Sequence, residues 1–314
     1  MRLLRVTLRV IVILFILLNI MTAFHAYQFT RFHDDPMGVI KKPEQMSTWE
    51  KTKVILTGFH YPKSVNTLQP NLPFDTVSFI TADQMKLAAW YIPQDSARGT
   101  VILFHGHASC KSKILDEAYY MHFLGFNTLL VDFRAHGDSE GHVCTIGYRE
   151  ANDVKAAFDY IKAKGEKHIV LWGVSLGAAT IARAMADYGV KPEKAIMELS
   201  FGSAYGGVKG RARAMGIPEQ PASAMLAFWG SVIRGFWVFG LNPEEYAKKI
   251  TCPVLVQHAA KDGRVTLAES TAIFNNIPNA NKKLVVYETA KHESLCNREP
   301  EKWKQEIKEF LLSP

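Results

Sequence analysis

The segment Gly173-Val-Ser-Leu-Gly177 carries the most legible chemistry in this chain. Ahead of it stands the apolar run His168-Ile-Val-Leu171, and behind it the helix-forming Ala178-Ala-Thr-Ile-Ala-Arg-Ala-Met185. A strand that turns sharply into a helix through Gly-x-Ser-x-Gly presents a serine hydroxyl at the helix N-terminus. The turn leaves no room for side chains two positions to either side, hence Gly173 and Gly177. The helix end adds free backbone N–H groups and partial positive charge where an oxyanion would form. Ser175 is therefore the candidate nucleophile. A chance match to so short a motif is common, and the flanking strand and helix are what set this one apart.

A serine nucleophile needs a base to take its proton and a carboxylate to orient that base. Of eleven histidines, only His258 and His292 follow Ser175, and only Asp187 and Asp262 lie between Ser175 and His292. Asp187 falls near the far end of the helix that Ser175 begins, several turns from the hydroxyl. Asp262 comes just after the apolar run Pro253–Gln257, where ligand residues of parallel sheets belong. His292 sits in Thr289-Ala-Lys-His-Glu293, after the last strand-like run. The catalytic set read from the chain is Ser175, Asp262 and His292. His258 ends a strand and reads as a core histidine or one supporting the site from behind.

Oxyanion donors are expected from the backbone N–H groups of Leu176 and His107. His107 lies in Phe104-His-Gly-His-Ala-Ser109, where Gly106 allows a close approach of the loop. His105 and His107 alone make a weak metal pattern, because no third ligand is near. Neither a metal nor a cofactor is expected.

The elements that must position these residues alternate along the chain. Thr76–Thr81 and Lys86–Ile92 read as an antiparallel hairpin. Thr100–Phe104, Asn127–Asp132, His168–Leu171, Ala195–Glu198, Pro253–Gln257 and Lys283–Tyr287 read as strands, with helical stretches such as Tyr148–Lys164 between most of them. Strands without polar alternation are buried on both faces. The expectation is an α/β fold with a mostly parallel central sheet flanked by helices. About fifty residues between Leu199 and Cys252 break the rhythm and hold Phe228, Trp229, Ile233, Phe236, Trp237 and Phe239 with Lys209, Arg211, Arg213 and Arg234. They read as a helical lid over the ligand end of the sheet, roughly residues 202–250; the alternative is a helical pair on the sheet edge.

At 314 residues with 48% hydrophobic content, the chain can bury one large domain plus an appendage. Arg2, Arg5 and Arg9 precede the uncharged run Val10–Phe24. The cleavage signals of a removable leader are poor, so residues 1–30 read as a membrane anchor, with a cleaved signal or a hydrophobic helix on a cytoplasmic enzyme as the alternatives. The flanking charge sends the remainder across the membrane, which gives a single-pass protein with an extracytoplasmic domain, or a secreted or periplasmic one. Residues 31–73 read as a loosely packed connecting segment, and residues 74–314 as the main domain. The net charge of +7 suits an anionic surface, and no nucleic-acid-recognition pattern accompanies it. Cys110, Cys144, Cys252 and Cys296 lack metal or redox spacing; one Cys110–Cys144 disulfide and free buried thiols both remain open.

Segments 74–93, 100–109, 131–141, 171–180, 253–265 and 289–293 together resemble the α/β-hydrolase superfamily. Within it the nearest likeness is to the monoacylglycerol lipase, lysophospholipase and serine aminopeptidase-like grouping. Val131-Asp-Phe-Arg-Ala-His-Gly-Asp-Ser-Glu-Gly141 matches that grouping's loop after its fourth strand. The resemblance implies Ser175 as nucleophile, Asp262 and His292 as partners, and His107 with Leu176 as oxyanion donors. It departs at Ala259, where the grouping usually carries glycine. The serine excludes the aspartate-nucleophile chemistry of dehalogenase and epoxide hydrolase relatives.

The expected function is a serine hydrolase of carboxylic esters, of lipid or acyl-glycerol type, working without a cofactor on small acyl substrates. The alternatives are an aminopeptidase, amidase or thioesterase of the same fold, and a hydrolase-fold binding protein without turnover. Only Glu219, Glu244 and Glu245 in the lid could hold a substrate amine, which ranks the aminopeptidase lower.

Overall fold

The computed structural model describes residues 2–35, 41 and 43–313. The helices are α1 (Arg2–Phe29), α2 (Thr48–Thr57), α3 (Leu115–Phe123), α4 (Glu150–Ala163), α5 (Leu176–Asp187), α6 (Ala204–Met215), α7 (Ala222–Arg234), α8 (Pro243–Tyr246), α9 (Leu267–Asn276), α10 (Leu295–Arg298) and α11 (Pro300–Leu312). The strands are β1 (Phe32–His33), β2 (Tyr61–Pro62), β3 (Asp75–Ile80), β4 (Lys86–Ile92), β5 (Thr100–Phe104), β6 (Asn127–Val131), β7 (Ile169–Val174), β8 (Lys194–Glu198), β9 (Val254–Ala259) and β10 (Lys282–Tyr287).

Eight strands form one sheet in the order β10-β9-β8-β7-β5-β6-β4-β3. The β3–β4 hairpin is antiparallel, and β4 also runs antiparallel to β6. All other neighbours are parallel. Strands β5, β6 and β8 are buried along their whole length, as uninterrupted apolar runs require. On one face α4, α5 and α9 supply Val154, Phe158, Ile181 and Ile273 to the core. On the other, α3 and α11 supply Leu115, Met121, Trp303 and Ile307. From β5 the chain moves to β6 on one side and then crosses to β7 on the other. The C-terminal ends of β5 and β7 therefore flank a topological switch point, the usual place for a ligand in such a sheet.

Phe32 and Tyr61, in the stretch after α1, pack more closely than the irregular sequence around them suggests. β1 pairs with β2, and Phe32 and Tyr61 are buried in the main core beside Phe29. Aromatic residues without helical or strand periodicity leave no pattern to read, although their burial ties this segment firmly to the domain.

Behind β7 lies an unusual acid. The indole N–H groups of Trp172 and Trp303 both donate to Glu198 Oε1, at 2.9 and 2.6 Å. Burial, with Glu117 adding repulsion, pushes the Glu198 carboxyl up to about 8, while burial pushes Glu117 up to about 7. Groups held protonated by the fold favour it fully below their unfolded pKa, and that contribution is lost as pH rises through 7 and 8. The protein is expected to lose stability from pH 5 to 9. Glu198→Gln keeps an acceptor for both indoles and removes one ionisation, so its loss over that range should be smaller by on the order of 2 kcal/mol. Thermal melts across that range give the comparison; equal slopes would exclude Glu198 as a cause.

Candidate active site

Ser175 stands between the end of β7 and the start of α5, with φ 55° and ψ −110°. That backbone is strained for a residue with a Cβ and persists only because its surroundings over-determine it. The Ser175 N–H is pinned to the Glu198 carbonyl at 2.8 Å. A Cβ on Gly177 would collide with the Phe104 and His105 carbonyls, and one on Gly173 with the backbone of Gly177 and Ala178. The two glycines thus let α5 start directly against β5 and β7.

His292, between β10 and α10, meets both partners expected of a base. Its Nδ1–H donates to Asp262 Oδ2 at 2.7 Å, and its Nε2 accepts from the Ser175 hydroxyl at 3.1 Å. Asp262 follows β9, and its other oxygen accepts from the N–H groups of Arg264 and Val265 at 2.7 and 3.0 Å. Burial pushes the Asp262 carboxyl up. The bond from His292, the charge of that ring and the two backbone donors outweigh burial, so the pKa ends below the ordinary value. An ionised carboxylate in this position can fix the imidazole tautomer and stabilise an imidazolium. His258 lies elsewhere in the network, its Nδ1 2.9 Å from the Ser270 hydroxyl. Asp187, at the far end of α5, pairs with Lys249.

The loop after β5 brings His107 to the same edge. A Cβ on Gly106 would lie 3.6 Å from the Ser175 Cβ. Two histidines brace this loop. The His105 ring donates to the Gly106 carbonyl and accepts from the Phe133 N–H, and the His136 ring donates to the Arg134 carbonyl and accepts from the Ala108 N–H. Burial holds them neutral, down to about 4 for His105 and about 3 for His136. The stretch 131–141 is locked by Lys111 against Asp132 and Asp138, and by Arg134 against Asp83 and Asp153.

His107, Ser175, Leu176 and His292 line one small cavity of about 50 Å³, together with Phe29, Arg211 and Arg264. Arg211, from α6, donates to His107 Nδ1 at 3.2 Å and to the Tyr61 hydroxyl at 3.3 Å. Arg264 is held by Glu44 through two bonds of 2.5 and 2.7 Å. Phe29 stacks on the His107 ring with centroids 5.3 Å apart. Sequence reasoning gave no site role to Phe29, Arg211 or Arg264; the arginine-bearing insertion was the one available signal. The four cysteines are free thiols, with Cys110, Cys144 and Cys296 buried. Among the described residues, no His, Cys, Asp or Glu group is arranged to hold a metal ion.

The serine aminopeptidase S33 family model matches residues 95–209, which include Ser175 and stop before Asp262 and His292. The solved esterase Pf2001 of Pyrococcus furiosus superposes with a TM-score of 0.65 at 27% identity, covering 80% of this chain and 97% of that one. The chain belongs to the α/β-hydrolase superfamily. Among its curated relatives, the lysophosphatidylserine lipase ABHD12 of Danio rerio is 29% identical over 196 residues, covering 57% of this chain and 47% of the relative. YqkD of Bacillus subtilis, a protein without an assigned activity, is 24% identical over 232 residues, covering 72% and 75%. The chain spans about half the length of the lipases it matches. Its esterase and lipase relatives support a hydrolase. Its N-terminal helix is long and apolar enough to cross a membrane.

Proposed function

We propose that this protein is a serine hydrolase that cleaves carboxylic esters, lipid or acyl-glycerol esters among them, through an acyl-enzyme on Ser175. The observation that carries the reading is His292, bonded to Asp262 through one ring nitrogen and to Ser175 through the other. His292 takes the serine proton as the hydroxyl attacks the ester carbonyl, and the oxyanion rests on the backbone N–H groups of His107 and Leu176. The carbonyl re-forms as the C–O bond to the alcohol breaks, and the alcohol leaves with the proton from His292. Water, deprotonated by the same ring, then attacks the acyl-enzyme and frees the acid and Ser175.

The surroundings favour esters over amines. The cavity beside Ser175 is lined by Arg211 and Arg264 and, among the described residues, by no carboxylate. Glu219 is paired with Arg213, and Glu245 with Lys248. A substrate with a free amine would meet positive charge. In this reading residues of about 202–250, with α6 and α7, act as a lid, residues 31–73 connect, and residues 74–314 form the catalytic domain. The helix α1 anchors the chain in a membrane, with the catalytic domain on the extracytoplasmic side.

Turnover of matched p-nitrophenyl esters, thioesters and aminoacyl amides by the full-length chain in detergent tests this reading. Esters should be cleaved fastest, by at least tenfold in kcat/KM. Faster cleavage of the aminoacyl amides would transfer the assignment to an aminopeptidase.

A further inference from the structure

The helix α1 is exposed from Arg2 to Leu18 and then changes character. Its last third packs on α7, with Ala26 and Thr22 buried. The contact is specific: Trp229 donates to Asn19 Oδ1 at 3.1 Å, and Arg234 donates to the Thr30 hydroxyl and the Tyr27 carbonyl at 2.6 and 3.1 Å. Between α1, α2, α6 and α7 lies a second cavity of about 380 Å³, walled by Leu18, Met21, Val54, Met215 and Leu226 among other apolar side chains. It falls within the range of roughly 300–1,000 Å³ usual for small-molecule sites. Four residues, Phe29, Ile146, Val208 and Arg211, line both this cavity and the one at Ser175.

We propose that the larger cavity is the acyl-chain site, and that α1 is one of its walls as well as a tether. The proposal rests on Ser175 as the acylated residue. The ester carbonyl sits at the Phe29 end, and the hydrocarbon tail runs along α1 toward Leu18, a helical rise of about 16 Å. A run of about 16 Å along α1 suits one extended hydrocarbon chain, which favours single-chain over two-chain lipids. From Leu17 back to Val10 the helix surface is bare and apolar. Trp49 and Leu56 on α2 and Phe228 and Val232 on α7 are also exposed. A lipid tail leaving a bilayer around α1 therefore reaches the cavity along apolar surface. Such a path spares the chain the cost of crossing water.

Gly230 on α7 provides a clean obstruction. It is buried and lines the cavity, and a Cβ there meets nothing within 4 Å. Gly230→Leu should fold, since leucine also has the better helix propensity. Met21→Trp narrows the cavity from the side of α1. The experiment compares p-nitrophenyl laurate with p-nitrophenyl acetate for the full-length protein in detergent micelles. Each substitution is expected to lower the laurate-to-acetate ratio of kcat/KM at least tenfold. An unchanged ratio in both variants, with acetate still cleaved, overturns the acyl-site assignment and leaves the serine chemistry standing. A fall in Gly230→Leu alone overturns the part given to α1. Wild-type protein that cleaves neither ester removes the serine reading itself, and this proposal with it.

Discussion

Ser175→Ala should lower ester turnover by about 10⁴-fold or more, because the hydroxyl that forms the covalent bond is gone. The folded structure should survive. Alanine removes one atom from a residue held by its backbone, through the Ser175 N–H and the Glu198 carbonyl. Any turnover above the uncatalysed rate would then come from binding and the oxyanion donors alone, which supply about 10³–10⁴-fold in enzymes of this type. The comparison is made on p-nitrophenyl acetate, with melting temperature as the control for folding. Loss of less than tenfold would place the nucleophile elsewhere.

The second large effect concerns the carboxylate. Asp262→Asn is expected to cost about 10³–10⁴-fold in kcat. Asparagine keeps the shape, yet it cannot stabilise the imidazolium and presents an amide N–H₂ where His292 Nδ1–H must donate. His292→Ala should be at least as damaging, since the base itself is lost. His258→Ala should cost less than tenfold, because its ring is bonded to Ser270 and to no member of the site. Rates for the three variants give a ranking, and greater damage from His258 than from His292 would reverse the assignment of the base.

The parts of this account that follow the chain locally were legible in the sequence. Gly173, Ser175 and Gly177 carry their own explanation, because the turn admits no side chain at either glycine. The strands were legible because both faces of the sheet are covered, and such strands read as uninterrupted apolar runs. Asp262 and His292 could be chosen because few aspartates and histidines follow Ser175, and because ligand residues sit after strand ends. Boundaries drifted by a few residues: β7 runs on to Val174 and β9 to Ala259, because Val174 still pairs with Glu198 and Ala259 with Tyr287.

What escaped was long-range packing. Phe29 belongs to an apolar helix that composition alone assigns to a membrane, and nothing in its spacing says that its ring stacks on His107. Phe32 and Tyr61 lie in a stretch without period, so their burial follows only from the fold. Arg211 was visible as a charge in the insertion, while its bond to His107 joins residues 104 positions apart. These contacts tie α1, the segment after it and α6 to one edge of the sheet, and no local pattern encodes them.

Covalent capture tests the central claim most directly. Full-length protein treated with a fluorophosphonate should gain one adduct, mapped by peptide mass spectrometry to Ser175 and blocked by prior incubation with an ester substrate. An adduct on another residue, or none on a protein that melts cooperatively, would contradict the account.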